Sequence, residues 1–192
     1  VLSNLKSVTH GQEDDMRQKT LLALGASLAM TLSTAAQAET RVEMHSVSSD
    51  GVGDSVGTVM AEDTEHGLLL TPDLSGLNPG IHGFHLHQNA NCETSKSDGE
   101  VTPAGAAGGH FDPEGTGTHR GPYSDEGHLG DLPALMIDED GNATTLLLAP
   151  RLEESDLSGH AFMIHEGGDN YSDEPKLGGG GSRVACGVIK SS

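Results

Sequence analysis

Tryptophan is absent from the sequence, and the aromatic rings come down to three Phe and two Tyr. That scarcity excludes a large aromatic core. Basic residues are few, 10 Lys and Arg against 29 Asp and Glu, for a formal net charge of −19. An excess of this sign argues against nucleic acid and anionic membrane surfaces as partners. The main apolar run, Thr20 to Thr34, is about 15 residues long, short of the ~20 that a spanning helix needs. No convincing amphipathic helix is found. Only two cysteines occur, Cys92 and Cys186, which excludes a metal cluster built from many thiolates.

What is present is 11 His and 27 Gly in 192 residues, a combination that suggests metal sites carried on long loops. Met16-Arg17-Gln18-Lys19 is a short basic segment, followed by the apolar run and by Ala36-Gln37-Ala38, which fits a small-residue cleavage site. Residues 16–38 therefore read as a secretory signal peptide, with the mature chain starting at Glu39. Residues 1–15 read as an upstream leader outside the native protein, and residues 39–192 as one domain. After cleavage no stable membrane association is expected. In an oxidising compartment an isolated cysteine pair forms a disulfide; the alternative is two metal ligands.

Along the mature chain the pattern is that of short strands and turns. Arg41–Val47, Asp54–Asp63, Gly67–Asp73, Ile81–Gln88, Pro133–Asp138, Ala143–Ala149, Gly159–Glu166 and Arg183–Lys190 are strand-like. Val56, Thr58 and Met60 share one face of the second. Asp140-Gly141-Asn142 between two apolar runs predicts a hairpin. Residues 88–131 and 167–182 are long, Gly-rich connections, and loops of such length are usually functional. The fold class that follows is all-β, a sandwich or flattened barrel with two long functional loops.

The candidate ligands are His85, His87, His110, His119, His128, Asp131 and His165. Period-two geometry puts His85 and His87 on one strand face and sends Phe84 and Leu86 to the other. Six imidazoles and one carboxylate suit Cu(II) and Zn(II). A His set with a carboxylate is a zinc set, and an all-imidazole set a copper set. If His110 used both ring nitrogens, the seven residues would complete two four-coordinate sites. His10, His45 and His66 read as solvated; His82 and His160 read as structural, hydrogen-bonding residues.

Six segments occur together and in order: Gly83-Phe84-His85-Leu86-His87, Gly108-Gly109-His110-Phe111-Asp112-Pro113, His119-Arg120-Gly121-Pro122-Tyr123, Gly127-His128-Leu129-Gly130-Asp131, Met163-Ile164-His165-Glu166-Gly167-Gly168-Asp169-Asn170-Tyr171 and Gly181-Ser182-Arg183-Val184-Ala185-Cys186-Gly187. In these the chain resembles the copper–zinc superoxide dismutases, of the bacterial exported (periplasmic) kind, over about residues 40–190. The resemblance implies an eight-stranded Greek-key β-barrel and the dismutation of superoxide to dioxygen and hydrogen peroxide, an antioxidant defence outside the cytoplasm. It implies one copper on His85, His87, His165 and the bridging His110, and one zinc on His110, His119, His128 and Asp131. It further implies that Arg183 guides the anionic substrate and that Asp169 links a copper His to a zinc His. Cys92 and Cys186 match the disulfide that ties the long loop to the last strand. Both monomers and homodimers fit. A non-catalytic metal-binding module on the same scaffold is the competing reading, and its mark would be loss of a copper ligand, of His110 or of Arg183.

Overall fold

The computed structural model describes residues 39–190. The expected leader, signal peptide and cleavage site, and His10, lie outside the described residues. Eleven strands run in order: β1 (Glu39–Ser48), β2 (Gly51–Thr64), β3 (Gly67–Leu74), β4 (Gly80–His82), β5 (Phe84–His87), β6 (Ser95–Ser97), β7 (Glu100–Thr102), β8 (Leu135–Ile137), β9 (Leu147–Ala149), β10 (Ala161–His165) and β11 (Arg183–Val188). The only helical pieces among the described residues are three 3-10 turns, at Gly105–Ala107, Glu154–Leu157 and Lys176–Gly179.

Seven strands form one antiparallel, curled sheet in the order β5-β10-β11-β1-β2-β3-β9, while β4 pairs with β8 and β6 with β7. The last strand lies between the first and the tenth, and β9 returns to sit beside β3. This is an all-β Greek-key barrel. Every expected strand segment is found. The expected strand at 81–88 is two strands, because pairing changes partner at Gly83. Its N–H donates to Gly167 O (2.8 Å), and its carbonyl accepts from His165 N (2.9 Å).

Three expectations are corrected. The hairpin across Asp140-Gly141-Asn142 does not form. The turn is present, with Asp138 Oδ1 accepting the N–H groups of Asp140 and Asn142. Beyond it, Ala143 exchanges main-chain bonds with Leu74, so the chain leaves β8 for β3, and β8 and β9 end on different partners. Val56 does not share the face of Thr58 and Met60: it packs against the core together with the buried Val59 and Ala61. Met44 pairs with Gly57 and His45 with Ser55, which leaves Val56 as an extra residue. Such a bulge resets the alternation. The long connection also contains the β6–β7 hairpin, turning at Asp98 and Gly99.

The core forms inside the barrel from Val42, Met44, Val59, Leu68, Leu70, Phe84, Leu86, Leu135, Phe162 and Ile164 and their neighbours. Phe84 and Phe162, two of the three phenylalanines, lie 5.3 Å apart at ring centres. On the outer face, Val47, Ala161, Met163 and the Cys92–Cys186 disulfide are covered by Ala104 and Ala107 of the long loop.

That loop is attached to the barrel as if it were a strand. The edge of β5 away from β10 is bonded by loop main chain: Leu86 N donates to Gly130 O (2.9 Å), Phe111 N to Leu86 O (2.8 Å) and Gln88 N to Gly109 O (3.0 Å). Isolated bridges set His87 beside His110 and His85 beside Asp131. Gly130 has no room for a side chain, since a Cβ there would lie 2.2 Å from Leu86 O. Gly130→Ala should therefore lower stability by about 1–3 kcal/mol, read as a urea midpoint. Gly109→Ala, where nothing lies within 4 Å of a Cβ, should shift it by less than about 0.5 kcal/mol. Equal effects would show that this backbone approach does not hold the loop.

Candidate metal centre

Alternation on β5 and β10 decides which side chains leave the core. Phe84, Leu86, Phe162 and Ile164 point in; His85 and His87 point out, opposite Met163 and Ala161. His165 ends β10 beside them, after a register shift between Ile164 and His165. The loop bridges supply His110 and Asp131. His119 and His128 come from the same loop, and Asp169 from the second long loop.

Two four-residue groups of donor atoms result, each within 4.8 Å: His85, His87, His110 and His165, and His110, His119, His128 and Asp131; His85, His119 and Asp169 make a smaller third. All seven residues are buried, His128 the least so. In the second group Asp131 Oδ1 lies 2.9 Å from His110 Nδ1, 2.9 Å from His119 Nδ1 and 3.3 Å from His128 Nδ1. A tetrahedron of donors about 2.0 Å from a zinc ion has edges of about 3.3 Å, so this spacing fits a shared ion. The His119 contact is not aligned as a hydrogen bond: His119 Nδ1, His85 Nδ1 and His110 Nε2 are all buried without a hydrogen-bond partner. Buried polar atoms are normally satisfied, and three orphaned imidazole nitrogens in one place are what a metal would satisfy.

The opposite ring nitrogens are held. His85 Nε2 and His119 Nε2 lie 2.8 and 2.7 Å from the two oxygens of Asp169. His87 Nδ1 is 3.0 Å from Gly108 O and His165 Nδ1 is 3.3 Å from Gly181 O. Each partner is an acceptor, so each fixes the N–H on the outer nitrogen and leaves a lone pair on the inner one. In the first group His87 Nε2 and His165 Nε2 are 3.5 Å apart. His110 completes the pattern by using both sides, with Nδ1 toward Asp131 and Nε2 free. The donor chemistry thus fits copper and zinc.

Burial, and then the neighbouring imidazole of His110, hold His85 and His87 well below the ordinary imidazole pKa of 6.5. Burial also lowers His110, against the pull of Asp131, and lowers His165 to about 4. Burial would lower His119 as well, but the carboxylates of Asp131 and Asp169 raise it to about 9. Desolvation would raise the two carboxyls; their imidazole partners instead hold both far below the usual range.

Arg183 donates from Nη1 to Ala104 O and from Nη2 to Gly108 O, both at 2.6 Å. Among the described residues no carboxylate pairs with it, contrary to what a surface arginine in so acidic a chain would do. Its anchoring carbonyls lie on the segment that the disulfide, 94 residues in span, ties to β11. His82 packs its ring nitrogens 2.7 and 2.9 Å from the carbonyls of His165 and Asn78, and His160 packs its ring at a tilt against Phe111 and donates to Gln88 O. Both are structural, as expected. The sequence reading missed Tyr171. Its hydroxyl accepts Ala134 N, its own N–H donates to Asp169 Oδ1, and its ring fills the space where Gly121 lacks a side chain.

The pH dependence of the metal-free protein follows from these shifts. With His85, His87, His110 and His165 depressed, the unfolded chain binds more protons than the folded one between about pH 4 and 6.5. Stability then rises with pH, by up to ~1.4 kcal/mol per pH unit for each imidazole. His119 acts in the opposite sense: its contribution is complete below 6.5 and is lost as pH rises through about 9. Urea midpoints of the metal-free protein should therefore climb from pH 4 to 6.5 and fall again toward pH 10. A flat acid limb would contradict the depressed imidazoles.

The family model for copper/zinc superoxide dismutase (SODC) matches residues 55–189. The chain is similar to "Superoxide dismutase [Cu-Zn] 1" of Salmonella typhimurium, at 54% identity over 173 residues, covering 89% of this chain and 98% of that protein. Among solved structures it resembles the Cu/Zn superoxide dismutase from Brucella abortus, with TM-score 0.77 and 45% identity over 80% of this chain and all of that one. It also resembles the monomeric copper, zinc superoxide dismutase from Salmonella enterica in solution, with TM-score 0.72 and 54% identity over the same shares. With the motifs, the barrel and these likenesses together, the chain belongs to the copper/zinc superoxide dismutase family, oxidoreductases that bind copper and zinc and dismute superoxide.

Proposed function

We propose that His85, His87, His110 and His165 hold the copper, that His110, His119, His128 and Asp131 hold the zinc, and that Arg183 receives superoxide beside the first set. The observation that carries this reading is His110, one buried ring that belongs to both donor groups and whose Nε2 has no other partner. When bound, copper supplies the one-electron change that takes one superoxide to dioxygen and another to hydrogen peroxide with uptake of two protons, and zinc supplies a fixed positive charge.

The protein's own part is positioning and proton handling. Asp169 binds the outer nitrogens of His85 and His119 at once, so the two donor groups cannot shift independently. Gly108 O serves both His87 Nδ1 and Arg183 Nη2, which keeps the guanidinium in register with the ligand ring. Arg183 stays charged at any working pH, and because its bonds go to neutral carbonyls that charge stays available to an anion. His110 can hold or give up a proton at Nε2 while Nδ1 stays beside Asp131. Every donor comes from one chain, so the centre needs no second copy; the monomeric Salmonella neighbour supports a monomeric catalytic unit.

We further place the enzyme in the periplasm, with residues 16–38 as the signal peptide and 39–192 as the catalytic domain. The Cys92–Cys186 bond supports an oxidising compartment.

Two variants test the assignment. His165→Ala should lose copper, keep zinc and stop consuming superoxide; undiminished copper content would remove His165 from the set. Arg183→Ala should keep both metals and lose roughly 10- to 100-fold in kcat/KM, the scale of one or two charge-assisted bonds, with the larger loss at low superoxide. Wild-type rates at every superoxide concentration would exclude Arg183 from substrate capture.

A further inference from the structure

The four donors of the zinc set are not held alike. Asp131 Oδ2 accepts the N–H groups of Arg120 and Gly121. His119 is held at Nε2 by Asp169. His110 is shared with the other group. Among the described residues the His128 ring has Asp131 Oδ1, at 3.3 Å, as its one hydrogen-bond partner, and its side chain is 11% exposed where those of Asp131, His110 and His119 are fully buried. What orients His128 is therefore its main chain.

That main chain is gripped from two directions. His128 N donates to Thr118 O (3.0 Å), and Gly127 lies so close to Arg120 that a Cβ would come within 2.6 Å of it. From the other side comes Arg151, which follows β9 and Pro150. Its Nη1 donates to His128 O (3.1 Å) and its Nη2 to Gly127 O (2.9 Å). The fork thus spans two consecutive carbonyls of the zinc loop. Arg151 is itself well placed for this. The next residue, Leu152, is buried in the core and its N–H closes a turn onto Ala149 O. The Arg151 side chain is only 16% exposed. Its ion pair with Asp125, at 3.4 Å, lies on a carboxylate that is 99% exposed, and such a pair contributes little.

We propose that Arg151 is a positioning residue for the zinc centre, acting through the carbonyls of Gly127 and His128 to hold the His128 ring where zinc needs it. The inference rests on the reading that His110, His119, His128 and Asp131 bind zinc. A guanidinium is required because its planar fork reaches two carbonyls at once, whereas an ammonium is a single point. Residues that orient metal ligands typically change metal affinity by 10- to 100-fold when removed.

The test uses the copper- and zinc-loaded protein and its Arg151→Met, Arg151→Lys and Asp125→Asn variants. Zinc and copper release to a chromophoric chelator is timed. The visible bands of cobalt(II), loaded in place of zinc, report ligand geometry directly. Arg151→Met should release zinc on the order of tenfold faster, with shifted cobalt bands and unchanged copper release. Arg151→Lys should fall between, and Asp125→Asn should match the parent. Parental zinc release and cobalt bands in Arg151→Met would overturn the proposal. So would zinc and copper release that accelerate together, since that marks general loosening. His128→Ala is run in parallel: zinc retention equal to the parent there would overturn the ligand set itself, whatever Arg151 does.

Discussion

Leu86 joins the two halves of the centre. Its side chain is buried in the barrel core, while its N–H and carbonyl bond the loop at Gly130 and Phe111. One residue therefore ties the hydrophobic interior to the main chain that carries His110 and Asp131. The residues on either side of it, His85 and His87, share its strand and face outward. A strand edge with unpaired N–H and C=O groups is usually a liability; here it is the template on which the loop is registered. Because side chains alternate with period two, a slip of one residue along that edge would turn His110 and Asp131 away from their partners.

The loop then depends on polar contacts between buried side chains. Asp131 and Asp169 carry the arrangement: one gathers three imidazole nitrogens, the other joins an imidazole from each donor group. Several buried rings of like character crowd together, with His85 and His110 stacked at 3.9 Å. Without a cation, some of their nitrogens face nothing, and an unsatisfied buried polar atom costs about 1–3 kcal/mol. A metal held by these residues would convert that penalty into ligand bonds. Metal affinity and folding stability are for that reason linked in this loop.

Much of this was legible in the sequence because it is local. Phe84 to His87 shows its two faces directly, and the segments around His110, His119, His128 and His165 carry a family's order and spacing. The bulge at Val56 was hidden, since it is set by pairing across to Met44 and His45. The failed hairpin at Asp138–Asn142 was hidden for a similar reason: a turn signal is local, but Ala143 is claimed by Leu74. The β6–β7 hairpin did leave a trace in Asp98-Gly99, the dipeptide suited to paired positive φ values, and the structure has both there. Which ring nitrogen of each His faces inward could not be read at all. It follows from Gly108, Gly181 and Asp169, which are distant in sequence. Arg151 and Tyr171 also act on loops far from them along the chain.

The heavy negative charge of the chain and its anionic substrate are reconciled by distance. At physiological salt the field of exposed carboxylates fades over about 8 Å, so the scattered surface charge sets solubility more than the last step of approach. Closer in, what counts is which charges are already neutralised. Asp131 and Asp169 are surrounded by imidazoles. Among the described residues Arg183 is bonded to carbonyls alone, which orient it without cancelling its charge. A carboxylate at either carbonyl position would hold the guanidinium as firmly and leave nothing for an anion to find. The disulfide, by fixing the loop that presents Ala104 and Gly108, keeps that neutral clamp in place.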